Sequence, residues 1–169
     1  SGFLITGIIS TELNTAVFSL RQFYFNRIRR IFPALLVVMM TFLVAGWFVL
    51  RSEEYIQLGN ETLAGSFFYS NFLYLSQDNY FDVASDLKPL LHLWSLGVEF
   101  QFYLIYPIIC KIFNTQFKRF ILMFASLFAY VFVNEISAKT AFYMMPTRLW
   151  QFILGIIAFE FSGKINIKQ

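Results

Sequence analysis

Charge is scarce in this chain of 169 residues: 14% are Asp, Glu, Lys or Arg, against 58% hydrophobic and 21% aromatic. A soluble domain carries about 25% charged residues, so a water-facing globule is excluded. The mean hydropathy of +0.61 and 23 phenylalanines place the chain in a membrane. Cysteine is scarcer still. The single Cys110 excludes an internal disulfide and offers no metal-ligand pattern. No internal repeat, low-complexity tract or signal peptide is visible. The net charge of +3 does not point to nucleic acid, because Lys and Arg collect at the ends of apolar runs. The first run, "SGFLITGIIS", is too short to cross a bilayer of about 30 Å, so residues are expected upstream of Ser1.

What is present is apolar and segmented. Ile31 to Leu50 gives about 20 apolar residues and one span, with Pro33 expected in its first turn, where a missing N–H costs nothing. A polar stretch, "RSEEYIQLGNE", follows. The apolar piece Thr62–Ser76 is only about 15 residues long, short of a span. Further spans are expected at Leu91–Phe113, at Phe120–Val133 with an extension to Ile136, and at Leu149–Phe161. Arg21, Arg27, Arg29, Arg30, Lys111, Lys118, Arg119, Lys164 and Lys168 gather on one set of segments. The other set holds Arg51, Lys88 and Lys139, so the first set is expected inside. Thr62–Ser76 is flanked by Glu53, Glu54 and Glu61 before and by Asp78, Asp82 and Asp86 after. With both flanks outside, this piece is re-entrant or interfacial. The fold class is therefore all-α: a polytopic transmembrane helix bundle with one partial and about four full spans plus this re-entrant segment.

Polar residues within spans carry the functional argument, because an ionisable group in lipid is expensive. Glu99 lies about 10 Å into the span that starts near His92. His92, Ser95, Glu99 and Tyr103 are spaced to share one helix face. That face lines a polar cavity or packs on another polar helix. A His92–Ser95–Glu99 triad is disfavoured, because the base should stand between nucleophile and acid and here the serine does. Glu99 is either a functional carboxylate or a member of a structural hydrogen-bond network. Arg148 stands just inside the last span, one turn before Gln151. It either snorkels to the interface or reaches an anion. Arg27, Arg29 and Arg30 precede the first full span. They are a topology signal, or Arg27 and Arg30, three apart, hold a phosphate with their guanidinium forks. Asn60-Glu61-Thr62 matches a glycosylation sequon, a short pattern that matters only on a eukaryotic secretory route.

Four stretches, in order, resemble the membrane acyltransferase-3 family, the bacterial O-acetylases of lipopolysaccharide, peptidoglycan and other surface polysaccharides. They are "SGFLIT" at the start, "RIRRIFPAL" at Arg27–Leu35, "PLLHLWSLGVEFQFYLIYP" at Pro89–Pro107 and "FYMMPTRLWQFILG" at Phe142–Gly155. The resemblance implies that residues 1–169 are part of a single transmembrane acyltransferase domain in the bacterial inner membrane, with further parts on both sides. It implies transfer of an acyl group, usually acetyl, from cytoplasmic acyl-CoA to a hydroxyl of a surface glycan or lipid-linked sugar. Acetyl-CoA or another acyl-CoA is then a donor substrate, and no bound cofactor or metal is expected.

The family's R-x-x-R motif falls on Arg27 and Arg30, with the CoA phosphates as the natural partner. Its W-S-L-x-V-E element falls on Trp94, Ser95, Leu96, Val98 and Glu99, and its P-T-R element on Pro146, Thr147 and Arg148. Expected substrate-binding residues are thus Arg27, Arg30, Arg148, Ser95, Trp94 and Tyr103, and Glu99 has a supporting or electrostatic catalytic role. The family's histidine base lies on a helix upstream of "SGFLIT", so His92 does not take that part and this stretch by itself is expected to be inactive. Many relatives have Glu-Glu-Gln where this chain has Glu99-Phe100-Gln101, and often Glu where Gln151 stands. The "YFD" and "PLLHLWSL" pieces are similar to members that carry a C-terminal SGNH-type esterase domain. Two other classes remain as alternatives: a transporter or channel half-bundle, with Glu99 and Arg148 lining a path, and a non-catalytic membrane scaffold.

Overall fold

Backbone groups in lipid must be satisfied internally, and every described element of the computed structural model is a helix. The structure describes residues 1–14, 19–77, 88–112 and 116–166; for residues 10–14, 107–112, 116 and 163–166 it describes the backbone alone. Asp78, Asp82, Asp86 and Lys168, and the side chains of Cys110, Lys111 and Lys164, lie outside the described residues. The elements are α1 (Gly2–Asn14), α2 (Leu20–Val49), α3 (Ser52–Ser66), α4 (Ser70–Ser76), α5 (Leu93–Ile112), α6 (Gln116–Ile136), α7 (Ala138–Tyr143) and α8 (Met145–Asn166).

Among the described residues, α2 and α6 combine the length and apolarity of a membrane span. Both turn large apolar side chains outward. On α6 these are Phe117, Ile121, Phe124, Phe128, Val131, Phe132 and Ile136. Such a surface is an aggregation liability in water and a normal one in lipid. Helix α2 has 30 residues and begins 11 before the expected Ile31 (31 − 20), so the arginine segment is part of the helix. Pro33 is therefore not in a first turn. It lies inside α2, where the Arg29 carbonyl loses its usual N–H donor. The four-span reading finds helices at all four places, longer at several ends than expected.

The apolar piece Thr62–Ser76 does not form one helix. Helix α3 ends at Ser66, Phe68 adopts a left-handed φ of 58°, and α4 restarts at Ser70. The polar stretch before it is helical because Glu54 Oε2 accepts the Arg51 N–H at 2.9 Å, capping α3, while Leu58, Glu61, Ala64 and Gly65 form one buried stripe. The stretch between the last two spans also holds a short helix, α7. The Ser137 side chain caps it by accepting the Thr140 N–H at 3.2 Å.

The chain divides into two compact units, residues 1–23 with 101–169 and residues 24–100, and α2 and α5 each contribute to both. In the first unit α1 and α8 meet backbone to backbone. A Cβ on Gly155 would stand 2.8 Å from the Phe3 nitrogen, and one on Gly2 would run into the Phe152 carbonyl. Small residues permit this close crossing, as is usual between membrane helices. The Thr6 hydroxyl pairs with the Tyr106 hydroxyl at 2.7 Å, and Phe102 stacks on Phe152 at 4.2 Å. Helix α6 is joined to α8 by Ser126, whose Oγ donates to the Pro146 carbonyl at 2.6 Å and accepts the Trp150 N–H at 3.0 Å. Its two partners stand four residues apart, one turn of α8. At the far end Arg119 pairs with Glu160.

The second unit has its own apolar core of Leu35, Met39, Leu58, Phe68 and Leu90. Phe68 stacks on Phe100 at 4.2 Å. Gly97 lets α5 approach the α3–α4 corner, since a Cβ there would lie 2.9 Å from both the Phe68 carbonyl oxygen and Asn71 Oδ1.

Candidate functional site

The buried positions of α2 recur mostly every four residues: Phe23, Arg27, Leu35 and Met39, with Ile31 and Leu43 half-buried between them. Arg27 is the one charged member of this stripe and is 7% exposed. Arg29 and Arg30 are both exposed. At 3.6 residues per turn, a three-residue step turns Arg30 about 60° to one side of Arg27, whereas a four-residue step turns about 40° to the other. The arginines expected to act as a matched pair therefore differ: one is held inward and one projects outward. A buried guanidinium needs a partner, and Arg27 does not stand without one.

The W-S-L-x-V-E element forms the first turns of α5. His92 lies in the turn before the helix, is exposed, and shares no helix face with Ser95 and Glu99, contrary to the spacing argument. Its carbonyl accepts the Ser95 N–H at 3.3 Å and the Ser95 hydroxyl at 2.9 Å. That hydroxyl thus closes its own turn rather than meeting a base. Trp94 and Glu99 are half-buried and both are partnered. Glu99 stands six residues past Leu93, about 9 Å along the helix. Tyr103, expected on the same polar face, is buried at 5% exposure beside Phe102, with ring centroids 6.3 Å apart.

The P-T-R element fastens the α7–α8 corner. Helix ends leave carbonyls without donors, and here side chains of α8 supply them. The Thr147 hydroxyl donates to the carbonyls of Ala141 at 2.8 Å and Met144 at 2.7 Å. Arg148 Nε donates to the Phe142 carbonyl, and its guanidinium carbon stands 4.3 Å from the centre of the Phe142 ring. The structure thus adds a structural task to a residue expected to bind substrate, and it is not a simple snorkelling arginine. Gln151 is exposed.

One polar cluster was not expected from the sequence. Glu61 is 1% exposed, Ser70 1% and Asn71 0%. Glu61 Oε1 accepts from Gln57 Nε2 of its own helix at 3.2 Å. Among the described residues Oε2 and the Ser70 hydroxyl have no hydrogen bond within ordinary reach. Burial pushes the Glu61 pKa up; Gln57, Tyr74, the Lys88 charge and Leu90 pull it back. In the sequence Glu61 is part of an acidic flank. The signal available was its three-residue step from Leu58 and its four-residue step to Gly65, a helical stripe inside a polar stretch. Glu160, inside the last apolar run, pairs with Arg119. No group of three or more His, Cys, Asp or Glu side chains suited to a metal occurs among the described residues.

Comparison with known proteins places this geometry. No solved structure matches. A Haemophilus influenzae protein whose name states no function is 34% identical, over 100% of this chain and 76% of its own length. The O-acetyltransferase OatA of Staphylococcus aureus is 33% identical over 93% of this chain, which spans 28% of that relative's length. The family described as "Acyltransferase domain" matches residues 1–169, so the chain belongs to the acyltransferase-3 family, whose membership supports acyl-group transfer.

Proposed function

We propose that this chain is part of the multi-pass domain of an O-acyltransferase in the bacterial inner membrane. It moves an acyl group, most simply acetyl, from cytoplasmic acyl-CoA to a hydroxyl of a surface glycan or lipid-linked sugar. The family match over residues 1–169 carries the reading. The buried Arg27 on the inward stripe of α2, at the basic end of an otherwise apolar helix, supports the donor assignment. CoA brings phosphates, and a planar guanidinium recognises them through two parallel hydrogen bonds. In the transfer step the acceptor hydroxyl gives its proton to a general base. The oxygen attacks the thioester carbonyl, the C–S bond breaks, and the CoA thiolate leaves and takes up a proton. Glu99 sets the field around that reaction and Arg148 holds a second anionic group of donor or acceptor.

The test is Arg→Lys at each of three positions in the full-length protein, with acetyl-CoA binding measured in detergent. Lysine keeps the positive charge and removes the fork. Arg27→Lys should weaken binding by about tenfold or more, the loss of one good charge-assisted pair. Arg30→Lys should weaken it less, because its exposed guanidinium is already solvated, and Arg29→Lys should leave it unchanged. Parent-like binding by all three would make the cluster an anchor and put the donor elsewhere.

A further inference from the structure

Two levels of contact fix the course of α3 along α2. Near the end of α2, a Cβ on Gly46 would stand 2.7 Å from Leu58 Cδ2, and the Trp47 and Tyr55 rings meet edge to face with centroids 5.6 Å apart. Further in, Ser66 Oγ stands 3.6 Å from Met39 Sδ, and a Cβ on Gly65 would lie 3.4 Å from the same sulfur. Between the two levels the chain goes back seven residues on α2 (46 − 39) and forward eight on α3 (66 − 58), about 10 Å and about 12 Å. Helix α3 thus runs antiparallel to α2 and beside it. A helix lying in the plane of the interface would cross α2 and touch it at one level. Met39 stands ten residues before the end of α2 at Val49 (49 − 39), about 15 Å along the axis, which is half of a bilayer core of about 30 Å.

The corner after α3 suits a place without water. A break in a helix frees backbone groups that lipid cannot satisfy. Here the Phe68 N–H bonds to the Gly65 carbonyl at 3.1 Å and the Tyr69 N–H to the Ala64 carbonyl at 3.0 Å, a paired closure that ends the helix on itself. The exposed face of α3 also grows apolar towards this corner. Glu53, Ile56, Asn60, Leu63 and Phe67 follow at steps of three and four, with Leu63 57% and Phe67 74% exposed. On α4 Phe72 is exposed, and α4 leads back to Gln77, whose Oε1 accepts from Lys88 Nζ at 2.8 Å.

We propose that α3 and α4 form a re-entrant hairpin whose corner, residues 67–69, reaches the middle of the membrane, with acyl chains of the outer leaflet covering Leu63, Phe67 and Phe72. Length and flanking acid leave a re-entrant and an interfacial course open; the two levels of contact with α2 choose the first. The hairpin takes the start of α5 with it. A Cβ on Gly65 would stand 2.8 Å from Leu93 Cδ1, one on Gly97 would stand 2.9 Å from the Phe68 carbonyl oxygen, and Phe68 stacks on Phe100. Trp94, Ser95 and Glu99 therefore share the depth of the corner. On the acyl-transfer reading, this is a level at which a donor from one face and an acceptor from the other would meet; the depth itself does not rest on that reading.

The experiment uses the full-length protein, cysteine-free, in vesicles of phosphatidylethanolamine and phosphatidylglycerol. Single cysteines at Glu53, Leu63, Phe67, Phe72 and Ser76 carry a nitroxide, and one at Met40 on α2 gives the value for mid-depth. All six side chains are exposed, so the label displaces no packing. The reading is the ratio of nitroxide collisions with oxygen, which concentrates in hydrocarbon, to those with a nickel chelate, which stays in water. The ratio should rise several-fold from position 53 to positions 63 and 67, match position 40 at 67, and fall again by 76. Positions 63 and 72 bracket the corner should a label at 67 disturb it. A ratio as low at 63, 67 and 72 as at 53 overturns the proposal, because α3 then lies at the interface or water reaches the corner. Few collisions with either reagent at these positions overturn it too, because protein then covers the face: a second copy or another part of the full chain. Neither result depends on whether the protein transfers an acyl group, so failure of the function reading would leave this measurement standing.

Discussion

The two compact units of this chain solve different problems. Residues 1–23 with 101–169 are held by contact: glycine-mediated crossing of α1 and α8, the Phe102–Phe152 stack, and interhelical hydrogen bonds from Thr6 and Ser126 that have partners on both sides. Residues 24–100 bury Arg27 on the apolar stripe of α2, and also Glu61 and Ser70, where Oε2 and the serine hydroxyl have no hydrogen bond among the described residues. Contact of the first kind specifies a fold. Charge of the second kind costs stability and is characteristic of sites that do chemistry. The difference teaches where to look: substitutions at the helix crossings should be read by stability, and those at the intramembrane and buried charges by activity.

The largest expected effect lies in the second unit. Glu99→Gln in the complete protein should cut surface O-acylation by about two orders of magnitude or more, in line with loss of a preorganised electrostatic group. Insertion and abundance should not change. The measurement is acetate released by mild base from envelopes of a strain whose one copy carries the variant. Near-normal acetate would return Glu99 to a structural network and erase the contrast between the units.

Gly155→Leu should reverse the pattern. The new side chain meets the Phe3 nitrogen and the Gly2 backbone, which cannot yield as a flexible side chain would. Overpacking of this kind costs about 1–3 kcal/mol, and backbone contact puts the effect at the upper end. Thermal unfolding in detergent should show a lower Tm, while protein that does fold keeps its affinity for acetyl-CoA. A Tm equal to the parent's would mean that α1 and α8 do not cross this closely.

Much of this division was legible in the sequence and some was not. The helices α2, α5, α6 and α8 follow from long apolar runs, because composition alone decides what a bilayer accepts. Length and flanking acid mark Thr62–Ser76 as short of a span, but not the break after Ser66, because a left-handed Phe68 has no signature in a non-glycine residue. Arg27 was found as a motif member, but its inequality with Arg30 was not, since the spacing of two residues does not say which of them the neighbouring helices cover. Glu61 was missed because solvated and buried carboxyls look alike in a polar stretch until the Leu58–Glu61–Gly65 period is read as helix. The shared face of His92 with Ser95 and Glu99 failed for a related reason: periodicity applies only where the helix has begun, and α5 begins at Leu93.

A charge effect of intermediate size separates the units again. Burial raises the pKa of Glu61, so the folded protein holds this proton more tightly than the unfolded chain does. The stability it contributes is full below the ordinary glutamate value of about 4.3 and is lost as pH rises through the raised folded value. The parent should therefore lose Tm relative to Glu61→Gln as pH climbs from about 4 towards neutrality. A difference between the two proteins that is constant across this range would show that burial does not shift Glu61.

The smallest effect should come from Ser126→Ala, although Ser126 makes two hydrogen bonds at 5% exposure. In water-soluble cores, orphaning a buried donor and acceptor costs about 1–3 kcal/mol. Here the groups left behind are the Pro146 carbonyl and the Trp150 N–H, which stand four apart on the same helix, the spacing of an in-helix hydrogen bond. What is lost is one interhelical tie, and such ties average about 0.6 kcal/mol in membranes. Ser126→Ala should thus lower Tm by less than Gly155→Leu does and leave O-acylation at the parent level. Thr147→Val is the control, because the carbonyls of Ala141 and Met144 that it abandons have no ladder to close, and it should cost more than Ser126→Ala. Equal losses from the two would mean that the Pro146 carbonyl and the Trp150 N–H find no partner within α8 once Ser126 is gone.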